Sequence, residues 1–152
     1  MPPQSLDDLV PAEKLLVLAC RRTVPGRVAG PCVEMAWRLG CGDALGACSA
    51  RAFADMTQVL AAGARRPLAL GVPHADTLSM DERALLELVA ACQCGAPALA
   101  MALVCWLVRA PQHAGLLGTA VSLARVMYAA GLRLRPPGVF RADRLAALPC
   151  SA

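Results

Sequence analysis

Apolar residues recur along most of this chain at spacings of three and four, the period of one face of an α-helix. Leu15, Leu18, Ala19 and Arg22 predict a short helix from Pro11 to about Thr23, closed by Val24-Pro25-Gly26. Upstream, Ser5 and Asp8 have the spacing of a capping box. Pro31 opens a second helix, with Val33, Glu34 and Trp37 at helical spacing and Glu34–Arg38 as a favourable i,i+4 pair. Gly40-Cys41-Gly42 interrupts it. Asp43 then suits the N-cap of a longer helix reaching about Ala62. The expected buried stripe of that helix is Leu45, Cys48, Ala52, Met56, Val59 and Leu60, with Phe53 alongside and Arg51–Asp55 on the wet face.

The second half is patterned more clearly. Ser79 and Glu82 form a capping box, followed by Leu85, Leu88, Val89 and Cys92 at i, i+3, i+4 and i+7. From Pro97 to Arg109 the chain is apolar on every side, which predicts a central, covered helix. Pro111 opens a last long helix to about Ala130, with Leu116, Ala120, Leu123 and Met127 inward and Gly131 as its stop. Pro136-Pro137-Gly138 forbids further helix, and a short amphipathic piece follows around Phe140 to Leu148. The expected architecture is all-α: a compact bundle of about five to six helices around 97–109, with one domain over residues 1–135 and a Pro-rich, basic tail over 136–152. Residues 63–78 are the least regular internal stretch and the best candidate for a functional loop.

Composition strengthens the helical reading. The 152 residues include 31 Ala and 24 Leu against 13 Val and no Ile, an excess of helix formers that argues against sandwiches, barrels and large sheets. Aromatic residues are 3%, too few to build platforms for stacking bases. The net charge of +4 sits mostly beyond residue 132, leaving a nearly neutral body, so no nucleic-acid partner is expected. The cations are nearly all Arg and only Lys14 is Lys, which with the Ala and Gly load reads as the codon bias of a GC-rich genome.

Two address signals fail on their own terms. The run Lys14 to Cys20 is similar to a lipoprotein cleavage site, but Asp7, Asp8 and Glu13 replace the basic leader and the apolar run is short. Leu88 to Val108 has the length of a membrane span with Gln93 as its one strongly polar side chain, yet Gly95-Ala96-Pro97 divides it into two helices. A cytoplasmic protein is expected, and a membrane partner is not. In that compartment the eight cysteines are read as reduced thiols, because disulfide frameworks belong to small secreted domains with weak cores.

Chemistry is thinly signalled. Gly40-x-Gly42-x-x-x-Gly46 lacks the preceding strand that a phosphate-binding turn needs, and reads as a helix break. Cys41, Cys48, Cys92, Cys94 and His74 are the candidate metal ligands, although neither cysteine pair has the two-residue spacing of a zinc knuckle. A Cys–His dyad joining Cys94 or Cys41 to His74 would be adjacent only in space. Hydrolase and kinase signatures are missing, so an enzyme is not the leading expectation, and no cofactor is expected. A helix-turn-helix over Ser79 to Arg109 would need base-reading side chains that residues 98–108 do not carry.

The segments Ala64-Arg65-Arg66-Pro67-Leu68, Leu78-Ser79-x-Asp81-Glu82-Arg83-Ala84-Leu85-Leu86, Trp106-Leu107-Val108-Arg109 and Ala129-Ala130-Gly131-Leu132-Arg133-Leu134 resemble uncharacterised small helical proteins of GC-rich proteobacteria, over roughly the last 70 residues. The resemblance implies a soluble bacterial helical domain and carries no activity, ligand or catalytic residue. The functional expectation is a non-enzymatic accessory or regulatory protein acting through protein contacts. Its contact residues would be Arg65, Arg66, Arg133, Arg135, Phe140 and Arg141, and a homo-oligomer is compatible with the pattern. A metal- or redox-binding bundle is the second expectation and a membrane-associated helical protein the third.

Overall fold

The computed structural model describes residues 5–23 and 30–138, so Phe140 and Arg141 lie outside the described residues. Within them the protein is all-helical: α1 (Pro11–Arg22), α2 (Pro31–Cys41), α3 (Asp43–Gly63), α4 (Met80–Cys94), α5 (Pro97–Leu107) and α6 (His113–Ala129), with short 3-10 turns before α1 and α6. The helices pack around one apolar cluster that draws on all six.

Local signals explain most boundaries. Ser79 Oγ accepts from the Glu82 amide (3.1 Å) while Glu82 accepts from the Ser79 amide (2.9 Å), the reciprocal capping box the spacing implies. Ser5 and Asp8 form a second one. Gly95 and Gly131 sit at φ 71° and 80° and end α4 and α6, where left-handed backbone lets Ala96 and Leu132 return their amides to Ala91 and Met127. The break between α2 and α3 differs in detail from expectation. α2 runs on through Gly40, and Gly42 at φ 82° is the joint, so Asp43 is the first helical residue and not its cap.

The core departs from the predicted pattern on α1, where Leu16, Val17 and Cys20 are buried and Leu15 and Leu18 only half-buried, and more consequentially in two further places. On α3 the buried positions are Gly46, Ser49, Ala52, Phe53, Met56, Leu60 and Gly63, while Cys48 is exposed and Leu45 only half-buried. The first turn faces inward through small residues because α2 crosses there at close range. A Cβ on Gly46 would stand 2.5 Å from the Arg38 Cα. Trp37 and Phe53, both wholly buried, meet across this crossing with ring centroids 5.5 Å apart. The second departure concerns the hub. α5 sends Ala100, Leu103, Val104 and Leu107 into the core but leaves Ala98, Met101 and Ala102 exposed along one stripe. The most enclosed helix is α4, buried without a gap from Ala84 to Ala91 and packed against α1, α5 and α6. Hydropathy ranked the two helices the other way because α4 carries Asp81, Glu82 and Glu87, all buried and all hydrogen-bonded. Among the described residues no helix is long and apolar enough to cross a membrane.

Two glycine substitutions check this packing. Gly46→Ala should cost on the order of 1–3 kcal/mol in chemical denaturation, because rigid backbone blocks the added methyl. Gly118→Ala, inside α6 with open space around its Cα, should instead add about 0.5–1 kcal/mol.

Candidate binding cleft

The irregular segment between α3 and α4 is tied down by buried carboxylates at the start of α4. Glu82 is the centre of this arrangement. Its Oε1 accepts from Arg21 Nε (2.6 Å) and the Gly71 amide (2.9 Å), and its Oε2 accepts from Arg21 Nη2 (3.0 Å) and the Ser79 amide (2.9 Å). Arg21 also donates to the carbonyls of Ala75 and Thr77. Both side chains of this ion pair are fully buried. One residue earlier, Asp81 takes both terminal nitrogens of Arg66 at 2.8 Å and the Ala69 amide at 2.6 Å. Segment 64–79 is therefore held from α1 and α4 by hydrogen bonds to its backbone and to the Arg66 side chain, with Leu78 buried in the shared core.

Burial alone raises the pKa of Glu82, but the Arg21 hydrogen bonds, and then the Ser79 and Gly71 amides, outweigh it and hold the carboxyl below its ordinary value. The same environment acts oppositely on Cys20, whose thiol is pushed up to about 12 by burial first and the Glu82 charge second.

Holding the segment this way leaves a cleft between it and α3. The cavity is about 440 Å³, within the range of ordinary ligand pockets. Leu60, Leu68, Leu70 and Leu85 form apolar walls, and Arg65, Arg66 and Arg109 are its charged lining residues, with no carboxylate among the described residues that line it. Arg65 is anchored by its Nε, which donates to the carbonyls of Cys105 (2.6 Å) and Val108 (3.2 Å). Paired amides, Arg65 to Leu107 and Arg109 to Gly63, stitch the end of α3 to the end of α5 and set both arginines at the cleft. Arg66 lies over the Trp106 ring, 4.5 Å from its centroid.

The expected contact arginines are thus also structural. Arg65 and Arg66 hold carbonyls and Asp81, Arg135 grips the buried Glu13 with its Nη2 at 2.6 Å, and Arg133 stacks on exposed Tyr128. Cys41 accepts a hydrogen bond from Ser49 (3.5 Å), and Cys48, Cys94 and His74 are exposed on separate elements. Cys92 is half-buried, its thiol pushed up to about 11 by burial and then by Cys94. Among the described residues no group of three or more His, Cys, Asp or Glu converges on a metal position. The Cys–His proximity in the structure joins a different pair, Cys105 and His113. Leu68 and Leu70 were legible only through the irregularity of their loop and Arg109 not at all, since their convergence depends on the Asp81 and Glu82 anchors and, for Arg109, on its amide bond to Gly63. Comparison with protein-family models, curated proteins and solved structures finds no match to this chain.

Arg21→Met should destabilise the protein by on the order of 3–5 kcal/mol, because Glu82 is left as a buried charge without its partner. The pH dependence follows from the lowered pKa of Glu82. Its contribution is complete above the unfolded value near 4.3 and is lost as pH falls below that toward the folded value. The stability gap between wild type and Glu82→Gln in urea titrations should therefore narrow below about pH 4. A gap that stays constant from pH 7 to pH 3 contradicts this account.

Proposed function

We propose that this chain is a non-enzymatic accessory protein, and that its cleft receives an apolar, acidic segment of a partner protein. The observation that carries the reading is the composition of the cleft: among the described residues that line it are four leucines, three arginines and no acidic residue. Apolar walls supply affinity through surface burial, and guanidinium groups select carboxylates by paired hydrogen bonds. Anchoring Arg65 through its Nε orients that side chain before any partner arrives, which lowers the ordering cost of binding. The irregular 63–78 loop supplies much of this surface, in keeping with a contact role for it.

Fluorescence anisotropy with a labelled peptide of alternating Leu and Glu tests the reading. Saturable binding is expected to the wild type. Arg109→Glu should weaken it about tenfold, equivalent to roughly 1.4 kcal/mol, and Leu68→Asp should abolish it. Equal binding by wild type and both variants would sink the idea. So would binding that appears only after residues 139–152 are removed, because the cleft would then belong to the chain's own tail.

A further inference from the structure

Cys105 and His113 stand together where α5 ends and α6 begins. The Cys105 Sγ lies 3.8 Å from His113 Nδ1, and His113 Nε2 lies 3.1 Å from the Val108 carbonyl oxygen. A carbonyl can only accept, so that contact puts the ring proton on Nε2. In the neutral imidazole Nδ1 is then the acceptor, and it faces the thiol. Nucleophile, base and an orienting third group thus occur in the order that thiol chemistry uses. Positive groups lie close by. His113 is the first residue of the seventeen-residue α6, whose N-terminal end carries partial positive charge, while Cys105 lies in the last turn of α5, whose end carries the opposite sign. The Arg65 guanidinium donates to the backbone carbonyl of Cys105 itself (2.6 Å). Cys105 is itself buried, 9% exposed, and borders the exposed stripe of Ala98, Met101 and Ala102 on α5, the side from which a small disulfide would approach.

We propose that Cys105, with His113 as its base, is a thiol modification site that exchanges with small disulfides of the glutathione type. The proton passes from Sγ to Nδ1, and the thiolate attacks one sulfur of the incoming disulfide. A new Sγ–S bond forms as the old S–S bond breaks, and the departing thiolate takes the proton back from Nδ1. Cys105 is oxidised to a mixed disulfide while the leaving sulfur is reduced, so no further oxidant is needed. This inference is independent of what occupies the cleft. The other described cysteines provide internal contrast. Among the described residues, Cys20 and Cys92 are buried or half-buried as Cys105 is but have no imidazole at their thiols, Cys41 accepts from Ser49, and Cys32, Cys48 and Cys94 are exposed without a base hydrogen-bonded to them.

Limited alkylation of the folded protein with iodoacetamide at neutral pH, read site by site from fragment ions, tests the assignment. Exposure alone predicts that Cys32, Cys48 and Cys94 react first. An activated pair predicts that Cys105 outpaces them by about tenfold, that His113→Gln removes most of that advantage, and that glutathione disulfide labels Cys105 first. Reaction in order of exposure would overturn the proposal. An unchanged Cys105 rate in a His113→Gln protein of unaltered helicity would also overturn it. If that variant does not fold, the order of reaction in the wild type decides.

Discussion

A single buried carboxylate organises the irregular part of this protein. Glu82 lies in apolar surroundings where an unpaired charge would cost several kcal/mol, and the structure meets that demand with four donors on its two oxygens. Those donors come from α1, from the 64–79 segment and from the cap of α4 itself. The ion pair therefore does more than satisfy a charge. It fixes where an irregular chain runs relative to three helices, and the Arg21 guanidinium fans across that chain to hold Ala75 and Thr77 as well.

The same device recurs elsewhere along α4 and α1. Glu13, on α1, fastens Arg135, Glu87 accepts from the Gly138 amide, and Gln93 holds Leu132 and Leu134 by carbonyl and amide. Each is a polar side chain reaching out of the core to hold backbone that has no helix of its own. In a bundle rich in Ala, apolar contact alone constrains such segments weakly, because small side chains bury little area each. Directional hydrogen bonds supply the missing definition. The cleft is a by-product of this arrangement: the 64–70 segment is held at a distance from α3, and the leucines on both sides face a shared space.

Much of the fold was legible because helices announce themselves locally. The Ser79–Glu82 box, the glycines at 95 and 131 and the α6 stripe of Leu116, Ala120, Leu123 and Met127 all appear as the spacing implies. The misreadings share a cause. Hydropathy assumes that buried means apolar, so it promoted α5 over α4, whose acidic residues are buried with partners 15 and 61 residues away in sequence. It also preferred Cys48 to Gly46 and Ser49 as core, because close helix crossing rewards small size and not hydrophobicity.

The amino-acid sequence by itself determined the helices and, apart from the α2–α3 joint, most of their caps and stops, since those depend on hydrogen bonds between residues three to five apart. Only the tertiary structure decided which helix is enclosed, that Arg21 meets Glu82, that Leu68 and Leu70 face Leu60 across a cleft, and that Cys105 faces His113 rather than His74 standing by a cysteine. Pairings of this kind are set by how whole helices cross and where irregular segments are anchored. No spacing along the chain encodes those distances.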